Sequence, residues 1–427
     1  MEKAQEVEVL TLEDCLRIGI DNNLLLEGKR KEIQKNKYGV SENRSKLLPQ
    51  INAIAGYSNN FDPPVSVTDG SSYGVPYNIT ETLQHSANAG LEMQMPLFNQ
   101  TLYTSMSIAK VMEEISRLSY GKAREDVILQ ISKMYYLGQV TAEQIMLIKA
   151  NIARLKELRD ITQAFFDNGM SMEVDLKRVN INLENLQVQY DNAQAMMKQQ
   201  LNMLKYIMDY PAEKEIALTP VNTDSITTVA LTGLSENIYE LQLSQSQVQL
   251  AERQKRIITN GYIPSLSLTG SWRYAAYTDK GYHWFHSGPS NHWFRSYGVG
   301  LTLRIPIFDG LDKTYKIRKA MIDIENSKLA WEDARKNLQT QYLNAVNDLM
   351  NNQRNFKKQK DNYLLAEDVY AVTSDRYREG IASMTEVLQD EMQMSEAQNN
   401  YISAHYNYRV TNLMLLKLTG QIESLLK

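Results

Sequence analysis

Residues 297–308 read Tyr-Gly-Val-Gly-Leu-Thr-Leu-Arg-Ile-Pro-Ile-Phe, and from Val299 onward an apolar side chain occupies every second position up to Ile307. The positions between them, which include Thr302 and Arg304, carry glycine, polar or proline residues. Alternation with a period of two indicates a β-strand that has one apolar face and one polar face. The chain is therefore expected to contain a sheet with two chemically different faces.

Two further stretches alternate in the same way, residues 86–98 and 264–274, and residues 50–58 form a weaker fourth run. The clear runs span 11 to 13 residues, which is long for a globular strand and matches a tilted strand that crosses a membrane. An ordinary sandwich is the alternative, but no apolar layer is available to cover such a sheet. We therefore expect a membrane-facing surface made of Leu91, Met93, Met95, Leu266, Leu268, Trp272, Leu301, Leu303 and Ile305.

Four strands from one chain cannot close a barrel, and lipid does not tolerate an open sheet edge. The chain is therefore expected to share a barrel with copies of itself. Three copies would supply twelve strands, an even number within the range of outer-membrane barrels. Two copies would supply eight strands, and a barrel of that size is filled by its own side chains. A homotrimer is the better prediction.

The sequence also contains an internal duplication. The stretch from Gly90 to Phe98 corresponds to that from Gly300 to Phe308, at an offset of 210 residues. Leu48-Pro49 corresponds to Ile263-Pro264, and Gly169 to Gly380, at offsets of 215 and 211 residues. Three landmarks in the same order indicate two structural repeats. We place the repeats at residues 1–219, with a strand pair at 50–98 and a helical hairpin at 101–208, and at residues 220–427, with a strand pair at 264–308 and a hairpin at 311–420.

Long helices are predicted for residues 101–168 and 311–379, which contain no proline. Each would be one helix of roughly 65 residues, or about 100 Å. The return helix of the first half carries a coiled-coil seam, interrupted only by Gln200: Leu176, Val179, Leu183, Leu186, Tyr190, Ala193, Met197 and Leu204. In the second half a leucine or aromatic residue recurs every seventh position: Tyr342, Leu349, Phe356, Tyr363, Tyr370 and Tyr377. From the helices alone, a soluble coiled-coil spacer remains an equal alternative.

Composition excludes several classes of protein. The net charge of −4 gives no reason to expect a nucleic-acid partner. The mean hydropathy is −0.43, and the absence of any run of 18 apolar residues predicts no membrane-spanning helix. The single cysteine, Cys15, excludes an internal disulfide and is interpreted as a free core thiol. Residues 1–5 do not resemble a signal peptide, so the chain is either cytosolic or numbered after removal of a leader.

No arrangement of side chains suggests catalysis, so we expect neither an enzyme nor a cofactor. His283, His286 and His292 lie in one loop, but imidazoles in an aromatic loop are more often ordinary loop residues, and we expect no metal site. Trp284 and Trp293 of the same loop fit an interfacial aromatic girdle.

Several short motifs, in this order along the chain, resemble the TolC family of outer-membrane efflux channels. They are Leu10-Thr11-Leu12-Glu13-Asp14-Cys15-Leu16, Asp21-Asn22-Asn23, the two strand starts and strand ends of the duplication, the turns at Gly169 and Gly380, Tyr406-Asn407-Tyr408 and Leu418-Thr419-Gly420. The resemblance covers essentially the whole chain. It implies a mainly α-helical trimer with a twelve-stranded barrel in the outer membrane and a helical tube in the periplasm. It also implies a periplasmic adaptor as partner and, through the adaptor, an inner-membrane pump.

The resemblance further implies that the hairpin turns at the end of the tube farthest from the barrel contact the adaptor. The residues at these positions are Gly169, Met170 and Ser171 in the first turn and Gly380, Ile381 and Ser383 in the second. The first turn is predicted to be one residue shorter than the second, so the two hairpins are expected to differ.

A pore gate is also implied, made of a ring of acidic side chains and a tyrosine latch. Glu386 matches the first acidic position, and Asp390 lies one residue beyond the second. Tyr377 matches the latch tyrosine and Asp175 its carboxylate partner. Ala382 stands where the family has the latch arginine, which leaves Arg376 or Arg378 as substitutes. Glu173 and Asp175 of the first hairpin are the alternative gate.

The function expected from these observations is a trimeric outer-membrane channel that exports substrates delivered by an adaptor and pump. The alternative is a coiled-coil tether that forms no channel. The alternating runs at residues 86–98, 264–274 and 297–308 favour the channel, because a tether needs no strands of that length and pattern.

Overall fold

The computed structural model describes residues 7–62, 65–68, 78–81, 84–220, 233–278 and 293–426, most of which are helical. The helices are α1 (Leu12–Asn22), α2 (Leu24–Ser45), α3 (Gln100–Asp167), α4 (Glu173–Met208), α5 (Tyr239–Asn260), α6 (Asp312–Arg378) and α7 (Met384–Leu418), followed by a 3-10 helix at Ile422–Leu426. The strands are β1 (Glu8–Leu10), β2 (Gln50–Asn59), β3 (Val65–Thr68), β4 (Asn78–Glu81), β5 (His85–Phe98), β6 (Ile216–Leu218), β7 (Ser265–Thr278) and β8 (Trp293–Arg304).

The chain forms two compact units, each drawn from both halves of the sequence. The helical unit consists of Met1–Ile33, Ile115–Gln245 and Leu329–Lys427. The sheet unit consists of Gln34–Glu114 and Ser246–Lys328. The predicted repeats, 1–219 and 220–427, stay a prediction, because a boundary between repeats need not be a boundary between compact units.

In the sheet unit, the four predicted strands form one antiparallel sheet in the order β2-β5-β7-β8. Its register places Trp272 of β7 between Leu91 of β5 and Tyr297 of β8. Leu268 lies likewise between Met95 and Leu301. Because partners across an antiparallel ladder point to the same side, the apolar runs of β5, β7 and β8 share one face.

One predicted membrane-facing residue, Ile305, is not part of the sheet. β8 ends at Arg304, which pairs with Ser265, the first residue of β7. Pro306 follows, has no N–H to donate to a ladder and restricts the residue before it. The prediction that Ile305 is a strand residue was therefore wrong, and whether Ile305 faces lipid stays a prediction. At its other end β8 begins at Trp293, so this residue, predicted in a loop, is already a strand residue.

The two long helices are confirmed: α3 has 68 residues and α6 has 67. In the helical unit the predicted seam of α4 is buried at Val179, Leu186, Ala193 and Leu204, and the interrupting Gln200 is buried with it. Leu155 and Leu158 of α3 and Val387 and Met394 of α7 belong to the same core cluster as Val179 and Leu186. None of the helices in the described ranges combines the length and apolar character needed to cross a membrane.

The first helix begins with a capping box that explains one motif of the sequence. Thr11 accepts a hydrogen bond at its side chain from the Asp14 amide, and the Asp14 carboxylate accepts one from the Thr11 amide. The next residue, Cys15, is fully buried in the core beside Leu16. Burial raises the pKa of the Cys15 thiol to about 12. The interpretation of Cys15 as a free core thiol is confirmed.

Candidate functional site

The two hairpin turns of the helical unit have the same backbone. Each links its helices through five residues, 168–172 and 379–383, so the predicted difference in length was wrong. Gly169 and Gly380 both have φ +73°, a conformation that glycine adopts at little cost. In each turn the residue after the glycine donates to a carbonyl five residues back, Met170 to Phe165 and Ile381 to Arg376, both at 2.8 Å. This pattern is the Schellman motif of helix C-termini.

The two turns lie side by side in the helical unit. Arg178 of α4 donates to the Thr385 hydroxyl of α7 at 3.2 Å. The ring of Tyr377, at the end of α6, lies 5.6 Å from that of Phe165, at the end of α3. The two hairpins are therefore neighbours at the ends that carry the predicted tip residues. The most exposed apolar side chains of the two turns, which we call the tip patch, are Met170, Met172 and Ile381, at 70%, 69% and 61% exposed.

The turns differ in chemistry where the return helices begin. Ser383 caps α7: its hydroxyl accepts from the Glu386 amide at 3.3 Å, and its own amide donates to the Glu386 carboxylate at 3.2 Å. The equivalent residue before α4 is Met172, whose side chain makes no capping hydrogen bond. Replacing a serine cap by alanine typically costs about 1 kcal/mol. Glu386, a predicted gate residue, thus also stabilises the start of its own helix.

The other predicted acidic gate residues lie close by but in different settings. Asp390 is half-buried and one helical turn beyond Glu386, on the same face of α7. Asp175 accepts from Arg178 at 3.3 Å, and its side chain is largely buried. Glu173 is exposed and pairs with Lys177 at 2.8 Å, a hydrogen bond that lowers the pKa of Glu173.

Tyr377 has a different partner within the chain from the one predicted. It is buried, and its hydroxyl donates to the Thr162 hydroxyl at 3.2 Å, whereas Asp175 pairs with Arg178. Arg378, offered as a substitute for the latch arginine, pairs with Glu157 at 2.6 Å and with Asp375 at 3.2 Å. Within one chain, Tyr377 and Asp175 are therefore held by different neighbours, and their role in a gate stays a prediction.

Sequence reasoning missed one acidic residue next to Asp390. Glu391 is buried, and its Oε1 atom has no hydrogen-bond partner among the described residues. Burial raises the pKa of Glu391, and the nearby positive charge of Arg154 opposes that shift. Two consecutive acids on a helix point in different directions, and only the packing decides which of them is buried.

The sheet unit presents the second candidate surface. Its apolar face is exposed in one chain, with the Leu301 side chain 66% exposed, and an exposed apolar patch of this kind marks an interaction with lipid or protein. The residues that share this face include eight of the nine predicted ones: Leu91, Met93, Met95, Leu266, Leu268, Trp272, Leu301 and Leu303. That they face lipid stays a prediction.

The opposite face of the sheet is polar and built largely from small residues. Gly90, Gly298 and Gly300 lie on it, opposite Arg273, Ser271 and Thr269 respectively. A cavity of about 540 Å³ opens over this face and includes Glu92 and Arg273 in its lining. Arg273 donates to the Glu92 carboxylate across the β5–β7 ladder.

His283, His286, His292 and Trp284 lie outside the described residues. In the part of the chain that the structure describes, no group of three or more histidine, cysteine, aspartate or glutamate residues is arranged to hold a metal ion.

Comparison with known proteins agrees with this geometry. The family model for "Outer membrane efflux protein" matches residues 19–208 and 233–421. The outer membrane protein TolC of Vibrio cholerae is 21% identical over 403 residues, which cover 90% of this chain and 84% of that protein. The probable efflux pump outer membrane protein TtgC of Pseudomonas putida is 23% identical, with 84% and 75% covered. The open-state MtrE outer membrane channel of Neisseria gonorrhoeae matches with a TM-score of 0.77 at 18% identity, covering 96% of this chain and 88% of that one, and so has the same fold.

Proposed function

Because the chain belongs to the outer membrane efflux protein family, we propose that three copies assemble into one export channel that receives substrates from a periplasmic adaptor and an inner-membrane pump. Outer-membrane location and export follow from the family, which disfavours the coiled-coil tether. The number of copies and the partners are our proposal. The observation that carries it is the pair of open sheet edges.

Both edge strands of the sheet are unprotected in one chain. β8 is exposed at every position, and β2 is exposed along most of its length. An edge strand presents unpaired N–H and C=O groups, which are not tolerated in lipid. Pairing β8 of one chain with β2 of the next would satisfy both edges. Repeated three times, this closes a barrel of twelve strands, a size that leaves room for a conduit.

Exposed apolar stripes on the long helices support the same assembly. On α4, Val174, Ile181 and Val188 are exposed and spaced by seven residues, on a face away from the buried seam of Val179 and Leu186. On α6, the exposed apolar side chains include Leu343, Met350 and Leu364, at multiples of seven. A second apolar heptad stripe needs a further helix to cover it. Neighbouring copies of the chain would supply that helix.

The trimer is tested by the mass of the detergent-solubilised protein. For the wild-type chain we expect a protein mass of three times 49.0 kDa. Val188→Glu should be mostly monomeric, because the glutamate carboxylate would lose its hydration when a neighbouring helix covers the stripe. Gln189→Glu is the matched control, since Gln189 is exposed beside Val188 and outside the stripe. A wild-type protein that is monomeric and soluble without detergent would overturn the proposal in favour of the tether.

The tip patch is the surface we assign to the adaptor. Three exposed apolar side chains at the end of two hairpins form an unusual surface for contact with water alone. A photo-crosslinker in place of Ile381 should capture a periplasmic adaptor in intact cells and leaves the Ser383 cap in place. The same crosslinker in place of Ile322, an exposed apolar residue of the sheet unit, should not. Capture at Ile322 in place of Ile381 would contradict the assignment.

A further inference from the structure

The polar face of the sheet carries one pair of opposite charges at its centre. Glu92 is the eighth of the 14 residues of β5, and Arg273 is the ninth of the 14 residues of β7. Among the described residues of the four sheet strands, the other arginines, Arg295 and Arg304, lie near the ends of β8. The middle of this face therefore has no net charge, although it contains two full charges.

The surroundings of the pair are small and polar. Arg273 lies opposite Gly90, and Glu92 lies opposite Ser271, which in turn pairs with Gly298. Glycine weakens a strand interior because it gains nothing from side-chain packing. Gly90 is required by the close approach of β7, since a Cβ there would lie 2.4 Å from the Trp272 carbonyl oxygen and 2.8 Å from the Arg273 Cα. A Cβ at Gly298 would meet no atom nearer than 4.0 Å, so the space above the sheet is open beside Ser271. Among the described residues that line the cavity, Glu92 and Arg273 are the only charged ones.

The geometry of the pair leaves both groups accessible. The side chains are 43% and 45% exposed, and together they line the cavity over the polar face. The guanidinium of Arg273 contacts Glu92 through its Nη2 atom. Its Nε atom is shielded from solvent and has no hydrogen-bond partner in the described part of the chain. An exposed cross-strand ion pair of this kind contributes little to stability, so the structural gain is small for two charges on one face of the sheet.

We propose that the Glu92–Arg273 pairs of three chains form a charge-balanced ring in the barrel lumen, and that this balance lets solutes of either charge sign pass. The inference rests on the proposed trimer, in which the polar face lines the lumen. Rings of carboxylates favour cations, and rings of arginine favour anions. A ring of matched pairs selects for neither, and loss of one partner makes the lumen selective. Glu92 and Arg273 are in this sense the residues that set charge specificity in the barrel.

The test measures the local potential beside the pair, so that a narrower part of the channel elsewhere does not mask it. Ser271→Cys places a thiol directly opposite Glu92, and the native Cys15 is fully buried and stays silent. The readout is the ratio of reaction rates with a cationic and an anionic membrane-impermeant thiosulfonate reagent. In this background, Arg273→Gln should raise the ratio and Glu92→Gln should lower it, each about two- to tenfold, the range for one unpaired charge in a water-like medium. The double variant should return to the starting ratio.

The outcomes separate the two proposals. A Leu268→Cys variant, on the apolar face, should be protected from both reagents in proteoliposomes if the sheet spans the membrane. If Leu268→Cys reacts as fast as Ser271→Cys, the barrel assignment itself fails. If Leu268→Cys is protected and the rate ratio at Ser271→Cys is unchanged by Arg273→Gln and by Glu92→Gln, the ring has no role in charge specificity and the pair is only structural.

Discussion

Leu301→Arg is expected to destabilise the folded channel by up to about 2–4 kcal/mol, because in the proposed barrel the arginine would face lipid, where a charge costs more the nearer it lies to the membrane midplane. Leu301 is preferable to Leu303 for this purpose, since Leu303 is next to the last residue of β8. The measurement is the urea concentration at the midpoint of refolding into lipid vesicles. Folded protein is detected by the difference in electrophoretic mobility between unheated and heated samples.

The matched control is Thr302→Arg, the next residue along the same strand and on the polar face, opposite Ser267. A charge there should reach water in the lumen and cost well under half as much. Equal costs at Leu301 and Thr302 would show that the two faces do not meet different solvents, and the barrel assignment would be lost.

The second large effect concerns the predicted pore gate. In the proposed trimer, Glu386→Gln with Asp390→Asn removes two carboxylates from each of three chains, and we expect a marked loss of cation selectivity and of block by multivalent cations. Glutamine at position 386 keeps the capping acceptor, because a capping box accepts either Glu or Gln at that position. The measurement is the reversal potential of single channels in asymmetric KCl.

Ser383→Ala is the control for the gate, since it removes the cap of α7 and leaves both charges in place. Ser383→Ala should leave the reversal potential close to the wild-type value. If it shifts the potential as far as the double variant Glu386→Gln/Asp390→Asn does, the effect comes from the loss of helix stability and not from the loss of the carboxylates. An unchanged potential in Glu386→Gln/Asp390→Asn would move the gate to Glu173 and Asp175 of the first hairpin.

The local features of this fold were predictable from the sequence because they depend on short spacings. The period-two runs placed β5, β7 and β8 and their apolar side chains. The one predicted residue of the apolar face that lies outside the strands is Ile305, which directly precedes Pro306. The absence of proline over long stretches predicted α3 and α6. Gly169 and Gly380 identified both turns, since a tight reversal after a helix favours positive φ.

The parts that the sequence did not predict depend on contacts between distant segments. The Glu92–Arg273 pair joins residues 181 positions apart, and only the register of β5 against β7 brings them together. The burial of Glu391 in place of its neighbour Asp390 follows from how α7 packs against other helices. The hydrogen bond from Tyr377 to Thr162 was not foreseen for the same reason, because Thr162 lies 215 residues away on α3.

The open edges of the sheet also have a consequence for how the protein is made. A chain that has folded its own four strands still exposes β2 and β8, and such edges are templates for irregular aggregation. Folding and association are then in competition with misassembly, and the balance depends on the concentration of newly made chains. Productive assembly is favoured if the sheet is completed only when neighbouring chains are already present. The sheet unit is therefore expected to be the last part of the molecule to reach its final structure, and the slow step of its maturation should become faster as chain concentration rises.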